Sequence, residues 1–550
     1  MLCGDFLQLP PAEETLAPEM LAVLEPAGVA DRTAVSGNRG SCSQAASWRA
    51  CATGVHRLTT AHRQGDKTAL LRGTEPAPPS GKSAVAKASV TATVLNLINN
   101  VVGAGLFSMP WVLQQSTILS GLLLLCFICV LNGVSFIILA KCCDLAGTYN
   151  YKKMGTMALG HRAGVFIQSC ILLYTTCSCV SYVVLTGDFL VGAGTGVFDH
   201  WAAGNAFLTS RPAVMGVVAL TIFVPLCLLK NLEALKYTSF VSFCSTCFAA
   251  GLLMWSATRT DAQLNAAGAT DTPSTFTPRD TVRWAGFSSS FFDALPIVNV
   301  AFTAHYNGLR FYEELEGRSL QRFTRVIATS SGFCLAIYGS AALAGYLVFG
   351  SVTKGDVLEN FEVGWGPAIT ARLVLSFVVF CTFPLANHSL RSSLLTLMWP
   401  ALPEREAAAA VAAAPAGEAG DAARARAEGY TTENAPRRVF LGVTLGAILV
   451  TTVIGVTVTK VETVLGYKGA IFGSCIVYVF PPLMLISLTR QQQQGRLASG
   501  KDDGDNSCGA GCVPGGVVPR QGEGRLFSMV AYGMVSGTIA VAVTIIKQAS

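Results

Sequence analysis

The chain has 550 residues, 51% of them hydrophobic and 13% charged, with a net charge of +6. Average soluble domains carry about 25% charged residues, so this composition, with a mean hydropathy of +0.49, excludes an ordinary soluble surface. The mild positive charge does not point to a nucleic-acid-binding stripe. Most of the 18 cysteines sit inside apolar runs, where they read as small core residues and not as a disulfide framework.

Residues 1–87 are rich in Pro, Ala, Gly and charge, and Asp5, Glu13 and Glu14 interrupt any early apolar run. They are expected to form a disordered cytosolic tail with no secretory signal. From residue 88 onward, stretches of the ~20 apolar residues needed to cross a bilayer recur. They lie at 89–114, 118–140, 164–188, 212–229, 235–256, 290–314, 326–349, 367–388, 439–459, 464–489 and 525–546. Each should be a helix, because an open strand in lipid leaves backbone groups unpaired. The expected fold is therefore an all-α integral membrane protein of about eleven transmembrane helices. Residues 88–489 would hold helices 1–10, and residues 525–550 the eleventh helix and the C-terminus. Two hydrophilic inserts, 401–437 and 490–524, read as flexible loops, the second cytosolic. Cys508 and Cys512 make one C-x3-C in that second loop, too few ligands for structural zinc. If the N-terminus is cytosolic, inside connections carry Lys141, Lys152, Lys153, Arg162, Arg318, Arg322, Arg391, Arg437 and Arg490, and the outside connections carry fewer basic residues. That bias supports an inside N-terminus.

The first span reads Asn96-Leu-Ile-Asn-Asn-Val-Val-Gly-Ala-Gly-Leu-Phe-Ser-Met-Pro110. Asparagines near the centre of a membrane helix are costly unless they face protein or a solute. Gly103, Gly105 and Pro110 weaken the helix. Together these residues predict an unwound turn at 103–105 and a half-helix starting near Leu106. The free N–H groups and positive dipole end of that half-helix would receive a carboxylate. The plainer alternative is that the two glycines only allow close helix packing, which leaves Asn96, Asn99 and Asn100 unexplained. The sixth span, with Pro296, Asn299, His305, Asn307 and Gly308, shows the same mixture of polarity and breakers. Five spans separate one break from the next, the arrangement of two inverted five-helix repeats with a site between them.

These residues resemble the amino acid/auxin permease superfamily, especially its sodium-coupled neutral amino acid transporters and the vacuolar transporters of fungi and plants. Asn96–Pro110 is similar to the N-x6-G-x-G pattern of that superfamily. Leu295-Pro-Ile, Phe302, His305 and Tyr312-Glu-Glu-Leu315 resemble its sixth helix. Weaker likeness lies in Gly345-Tyr346-Leu-Val-Phe349 and from Arg372 through Arg391-Ser-Ser393. The resemblance implies a LeuT-type fold with discontinuous helices 1 and 6, and transport of a neutral amino acid by alternating access as a symporter coupled to sodium or protons. It also implies substrate contacts at Val102, Gly103, Ala104, Gly105 and Leu106 for the carboxylate, and at Phe302, Thr303, Ala304 and His305 for the amine. Asn99 matches the asparagine of the sodium site, and Thr382 would be its hydroxyl partner, or else a helix-packing hydroxyl. His305 either relays protons or packs as a neutral residue. Tyr174, Thr175, Thr176 and Ser178 are candidates for the side-chain pocket. The loops at 189–211 and 257–287 lack the cysteine pair of many sodium-coupled relatives, so a vacuolar or lysosomal membrane stays open beside the plasma membrane.

The N-terminus resembles a different family. Leu2-Cys-Gly-Asp-Phe-Leu-Gln-Leu-Pro-Pro11 and Leu58-Thr-Thr-Ala-His-Arg-Gln-Gly-Asp66 look like segments of Pif-type DNA helicases. Gly81-Lys82-Ser83 mimics the end of a phosphate loop, but Pro76 stands where its first glycine belongs. Residues 1–75 therefore read as a helicase-like remnant without activity or nucleic-acid partner. No H-E-x-x-H or G-x-S-x-G motif is present, so no enzyme is expected. The expected partners are an amino acid and the lipid bilayer, with no cofactor beyond a coupling sodium ion or proton. A non-transporting amino acid sensor on the same fold is the alternative.

Overall fold

The structure is a computed structural model that describes residues 87–197, 210–229, 236–258, 278–288, 290–361, 365–402, 404–414, 418–498 and 520–549. The helicase-like segments, the Cys508/Cys512 pair and most of the 490–524 insert lie outside the described residues. The chain divides into two units, Met1–Ser80 and Gly81–Ser550, and the second carries everything that follows.

Among the described residues the second unit is helical. Eight helices are long and apolar enough to cross a membrane: Ile118–Ala146, His161–Ala193, Arg211–Leu228, Leu320–Val352, Gly366–Met398, Arg437–Thr457, Val461–Gln494 and Glu523–Val543. A pair bent by 56°, Val90–Val101 and Gly105–Gln115, raises the number to nine if it is one span. Val241–Ala257 is a shorter apolar helix. The sixth stretch forms two helices, Phe291–Phe302 and His305–Glu314, neither long enough alone to cross a bilayer.

Local chemistry sets the ends of these helices. The second span starts at Thr117, whose side chain accepts the Ser120 N–H, satisfying a donor the helix cannot. It stops at Gly147, which adopts φ +61 and returns its N–H to the Cys143 carbonyl, a turn that glycine makes without a Cβ clash. The outer faces are apolar: Leu119, Leu123 and Phe127 on this span, Leu220 on the fourth and Leu449 on the ninth are all exposed. Polar side chains turn inward, with Asn132, Asn299, Asn387, Arg372 and Arg391 all buried. This inside-out distribution suits a lipid solvent.

Two expectations need correcting. The 401–437 insert is not a loop throughout: it contains the helices Glu404–Ala412 and Glu418–Glu428. The Leu402 N–H bonds the Ala427 carbonyl at 2.9 Å, and the Tyr430 N–H bonds the Trp399 carbonyl at 3.2 Å. Its alanines and glutamates are strong helix formers, which the mixed charge had masked. Helix also continues past residue 489 as far as Ala498, into the segment read as a loop. Arg372, on the eighth span, turns inward. It is buried, and its guanidinium donates to the carbonyls of Gly192, Leu358 and Phe361, tying the third span to the segment after the seventh. Arg391 is buried too, donating to the Cys227 carbonyl at 2.9 Å and the Thr444 hydroxyl at 3.1 Å, with its guanidinium 4.3 Å from the Phe440 ring centre.

Candidate functional site

The first helix, Val90–Val101, is capped by Ser89 and ends where Val102 turns extended at φ −79, ψ 96. Gly103 also leaves helical geometry, at φ −137, ψ −142. A tight 3-10 turn over Ala104–Ser108 then leads into Met109–Gln115. The break therefore falls at 102–103, and the chain resumes coiling at Ala104, two residues earlier than expected. Pro110 is not a breaker here. It occupies the first turn of the resumed helix, where no N–H is needed.

The second break has other causes. Pro296 lies inside the helix Phe291–Phe302, and the chain unwinds only at Thr303 (φ −87, ψ 108) and Ala304 (φ −131, ψ 21). The Thr303 hydroxyl donates to the Asn299 carbonyl at 2.6 Å, and the Tyr174 hydroxyl donates to the Thr303 carbonyl at 3.3 Å. Asn299 itself donates from Nδ2 to the Gly469 carbonyl of the tenth span. The Tyr338 hydroxyl lies 2.8 Å from the Val101 carbonyl and 2.9 Å from the Ala301 carbonyl. It thus serves acceptors that both helices leave free where they stop. The breaks also meet directly, since a Cβ on Gly105 would stand 3.2 Å from the Ala301 Cβ.

A cavity of about 260 Å³ lies against both breaks. Asn96, Asn99, Asn100, Gly103 and Gly105 line it from the first span, and Ala301, Thr303, Tyr306 and Asn307 from the sixth. Tyr174, Ser178 and Tyr182 border it from the third, Thr382 and Ser389 from the eighth, and Lys468 from the tenth. It runs toward the side of the molecule that carries Arg310 and Glu314, which are ion-paired at 2.7 Å, the arginine two-thirds exposed. A smaller void of about 30 Å³ adjoins it, lined in part by Asn99, Val102, Gly103 and Thr382.

Of the residues singled out in the sequence, Asn99, Gly103, Gly105, Thr303 and Thr382 thus share the main cavity, and Val102 borders the smaller one. The Thr382 hydroxyl spends its proton on the Val378 carbonyl at 2.7 Å, which leaves oxygen lone pairs for a cation. Ala104 contributes backbone to the 3-10 turn. The side chains of Leu106, Phe302, Ala304 and His305 are buried and stand outside the main cavity's lining. Phe302 meets Tyr338 edge to face. The His305 ring stacks on Phe136 with centroids 3.8 Å apart, a packing position. Thr175 and Thr176 turn their hydroxyls back to carbonyls of their own helix.

Sequence reasoning passed over Lys468. It is the one charge in the 464–489 stretch, and that isolation was the available signal. It is 8% exposed, and its Nζ lies 4.4 Å from the centre of the Tyr174 ring. A cation–π contact is worth about 0.5–2 kcal/mol, whereas a charge at the centre of a membrane helix costs about 2.5–3.5 kcal/mol on insertion scales. The ring alone therefore does not balance the ammonium.

Helices apolar on the outside, two of them interrupted beside one polar cavity, define a multi-pass membrane protein. Residues 86–499 match the family of transmembrane amino acid transporter proteins, and the chain belongs to that family. It is 27% identical over 340 residues to amino acid transporter AVT6E of Arabidopsis thaliana, covering 59% of this chain and 66% of the relative. It is 26% identical over 309 residues to the putative sodium-coupled neutral amino acid transporter 11 of Mus musculus, covering 56% and 64%. Vacuolar amino acid transporter 7 of Saccharomyces cerevisiae is 25% identical over 326 residues, covering 56% and 59%. The chain spans 59–66% of the length of these relatives.

Proposed function

We propose that the protein is a secondary active transporter of amino acids that works by alternating access on two inverted five-helix repeats. The observation that carries this reading is the larger cavity, bordered by both helix breaks. An interrupted helix offers unpaired N–H groups at one end and unpaired carbonyls at the other, the two groups a zwitterion needs. The backbone N–H groups at Gly103–Gly105 receive the solute carboxylate, and the carbonyls around Phe302–Ala304 receive its amine. Asn99 and Thr382, which border both cavities, hold a sodium ion through an amide oxygen and a hydroxyl. With the N-terminal face on the cytosol, the cavity opens inward in this conformation, and the membrane is that of the cell surface or of a vacuole or lysosome. The names of the relatives support the solute class: one is named for sodium coupling and neutral amino acids, another for vacuolar amino acids.

The test is uptake of radiolabelled amino acids by the purified full chain in proteoliposomes, with sodium present, with choline in its place, and across a pH gradient. Saturable, gradient-driven uptake is expected. Saturable binding without flux would overturn transport in favour of a sensor. Asn99→Ala should abolish sodium stimulation; stimulation of unchanged size would remove Asn99 from the ion site.

A further inference from the structure

Three basic side chains are buried within the spans around this site, and they are provided for very differently. Arg372 is surrounded by three carbonyls. Arg391 has a carbonyl, a hydroxyl and an aromatic face. Lys468 has the Tyr174 face and, among the described residues, no hydrogen bond and no ion pair. It is also the only one of the three that lines the main cavity. The one carboxylate in the cavity's lining, Glu314, is already engaged by Arg310 at 2.7 Å. An intramembrane ammonium normally pairs with a nearby acid or with carbonyls. Among the described residues, none offers Lys468 an anion.

We propose that Lys468 is a specificity-determining residue that receives the side-chain carboxylate of an acidic amino acid, with the Tyr174 ring holding the ammonium in place. This rests on the amino acid reading of the cavity given above, and it replaces the neutral side chain that the family resemblance implied. The solute's backbone groups are met by the two helix breaks, on the first and sixth spans. Lys468 stands on a different element, the tenth span, and so reads a different part of the solute. The third span links the two functions: the Tyr174 hydroxyl goes to the Thr303 carbonyl at the second break while its ring faces the Lys468 ammonium. Charge selection follows from the same geometry. A lysine or arginine solute would bring a second cation against an uncompensated first one, whereas a carboxylate gains a charge-assisted bond in a site of low dielectric.

L-glutamate and L-glutamine are nearly isosteric and differ by one charge, so they isolate the role of the ammonium. Their affinities would be measured by calorimetry, and their uptake in proteoliposomes, on the full-length protein, on Lys468→Met and on Lys468→Arg. The unaltered protein should prefer glutamate by about tenfold or more, and Lys468→Met should abolish that preference while changing glutamine by no more than about threefold. Lys468→Arg should retain the preference. A protein that binds both solutes equally overturns the proposal, whatever the variants do. Equal loss of both in Lys468→Met, with the variant's melting temperature unchanged, also overturns it, because Lys468 would then hold the α-carboxylate. Binding with glutamate preference but without flux would sink the transport reading and uphold this one.

Discussion

The two interrupted spans reach similar geometry from dissimilar sequences. The first breaks at a valine and a glycine and recovers through a tight 3-10 turn. The sixth breaks at a threonine and an alanine, seven residues beyond its proline, and recovers at once into α-helix. One break is written into the local backbone, where glycine lowers the cost of leaving the helix. The other is imposed by neighbours, through Tyr174, Tyr338 and the contact with the tenth span. The spans are joined again at their far ends, where the Ala88 N–H bonds the Glu314 carbonyl at 2.8 Å and the Glu316 N–H bonds the Ala88 carbonyl at 2.9 Å. A helix can thus be opened from within or from outside, and this molecule uses both to build one cavity.

If the sixth span depends on its surroundings, the largest effect should come from disturbing them. A Cβ on Gly469 would overlap the Pro296 carbonyl oxygen, a backbone atom that no rotamer change can move aside. Gly469→Ala should cost about 3 kcal/mol, the upper end for overpacking, and should appear as a sharply lower melting temperature in detergent. An unchanged melting temperature would show that the tenth span does not hold the sixth in place. Tyr338→Phe comes next. It strips the hydroxyl from two buried carbonyls, and leaving a buried acceptor unsatisfied costs about 1–3 kcal/mol. Because the bond serves both spans, solute affinity should fall along with stability; a loss of stability alone would separate the bond from the site. The smallest effect tests the first span. Gly105→Ala must push against Ala301 at 3.2 Å, while a Cβ on Gly103 meets only the Tyr182 hydroxyl at 3.7 Å. In melting experiments Gly105→Ala should be worse than Gly103→Ala by about 1 kcal/mol. The reverse order would mean that conformation at Gly103 matters more than packing at Gly105.

That difference also explains what could be seen in the sequence. The existence of both breaks was legible, because asparagines and glycines inside an apolar run have few other uses. Their positions were less so. Pro110 and Pro296 drew the eye, yet one sits in a permitted first turn and the other within a continuous helix. The second break carries no glycine or proline of its own, so only the family resemblance marked Thr303 and Ala304. Asn99, Gly103 and Thr382, brought together by the family resemblance, line one cavity. The placement of His305 away from the cavity, buried against Phe136, depended on a ring contributed by another span. Lys468 was visible as a lone charge but acquired meaning only when the tenth span was seen to face the cavity.

The position of Tyr338 has a mechanical consequence. One phenolic oxygen lies within 3 Å of carbonyls on both interrupted spans, and a hydroxyl has a single proton to give. The two acceptors therefore share that proton, and the strength of each bond depends on how close its span lies to the phenol. Tyr338 thus couples the two interrupted helices through one shared proton.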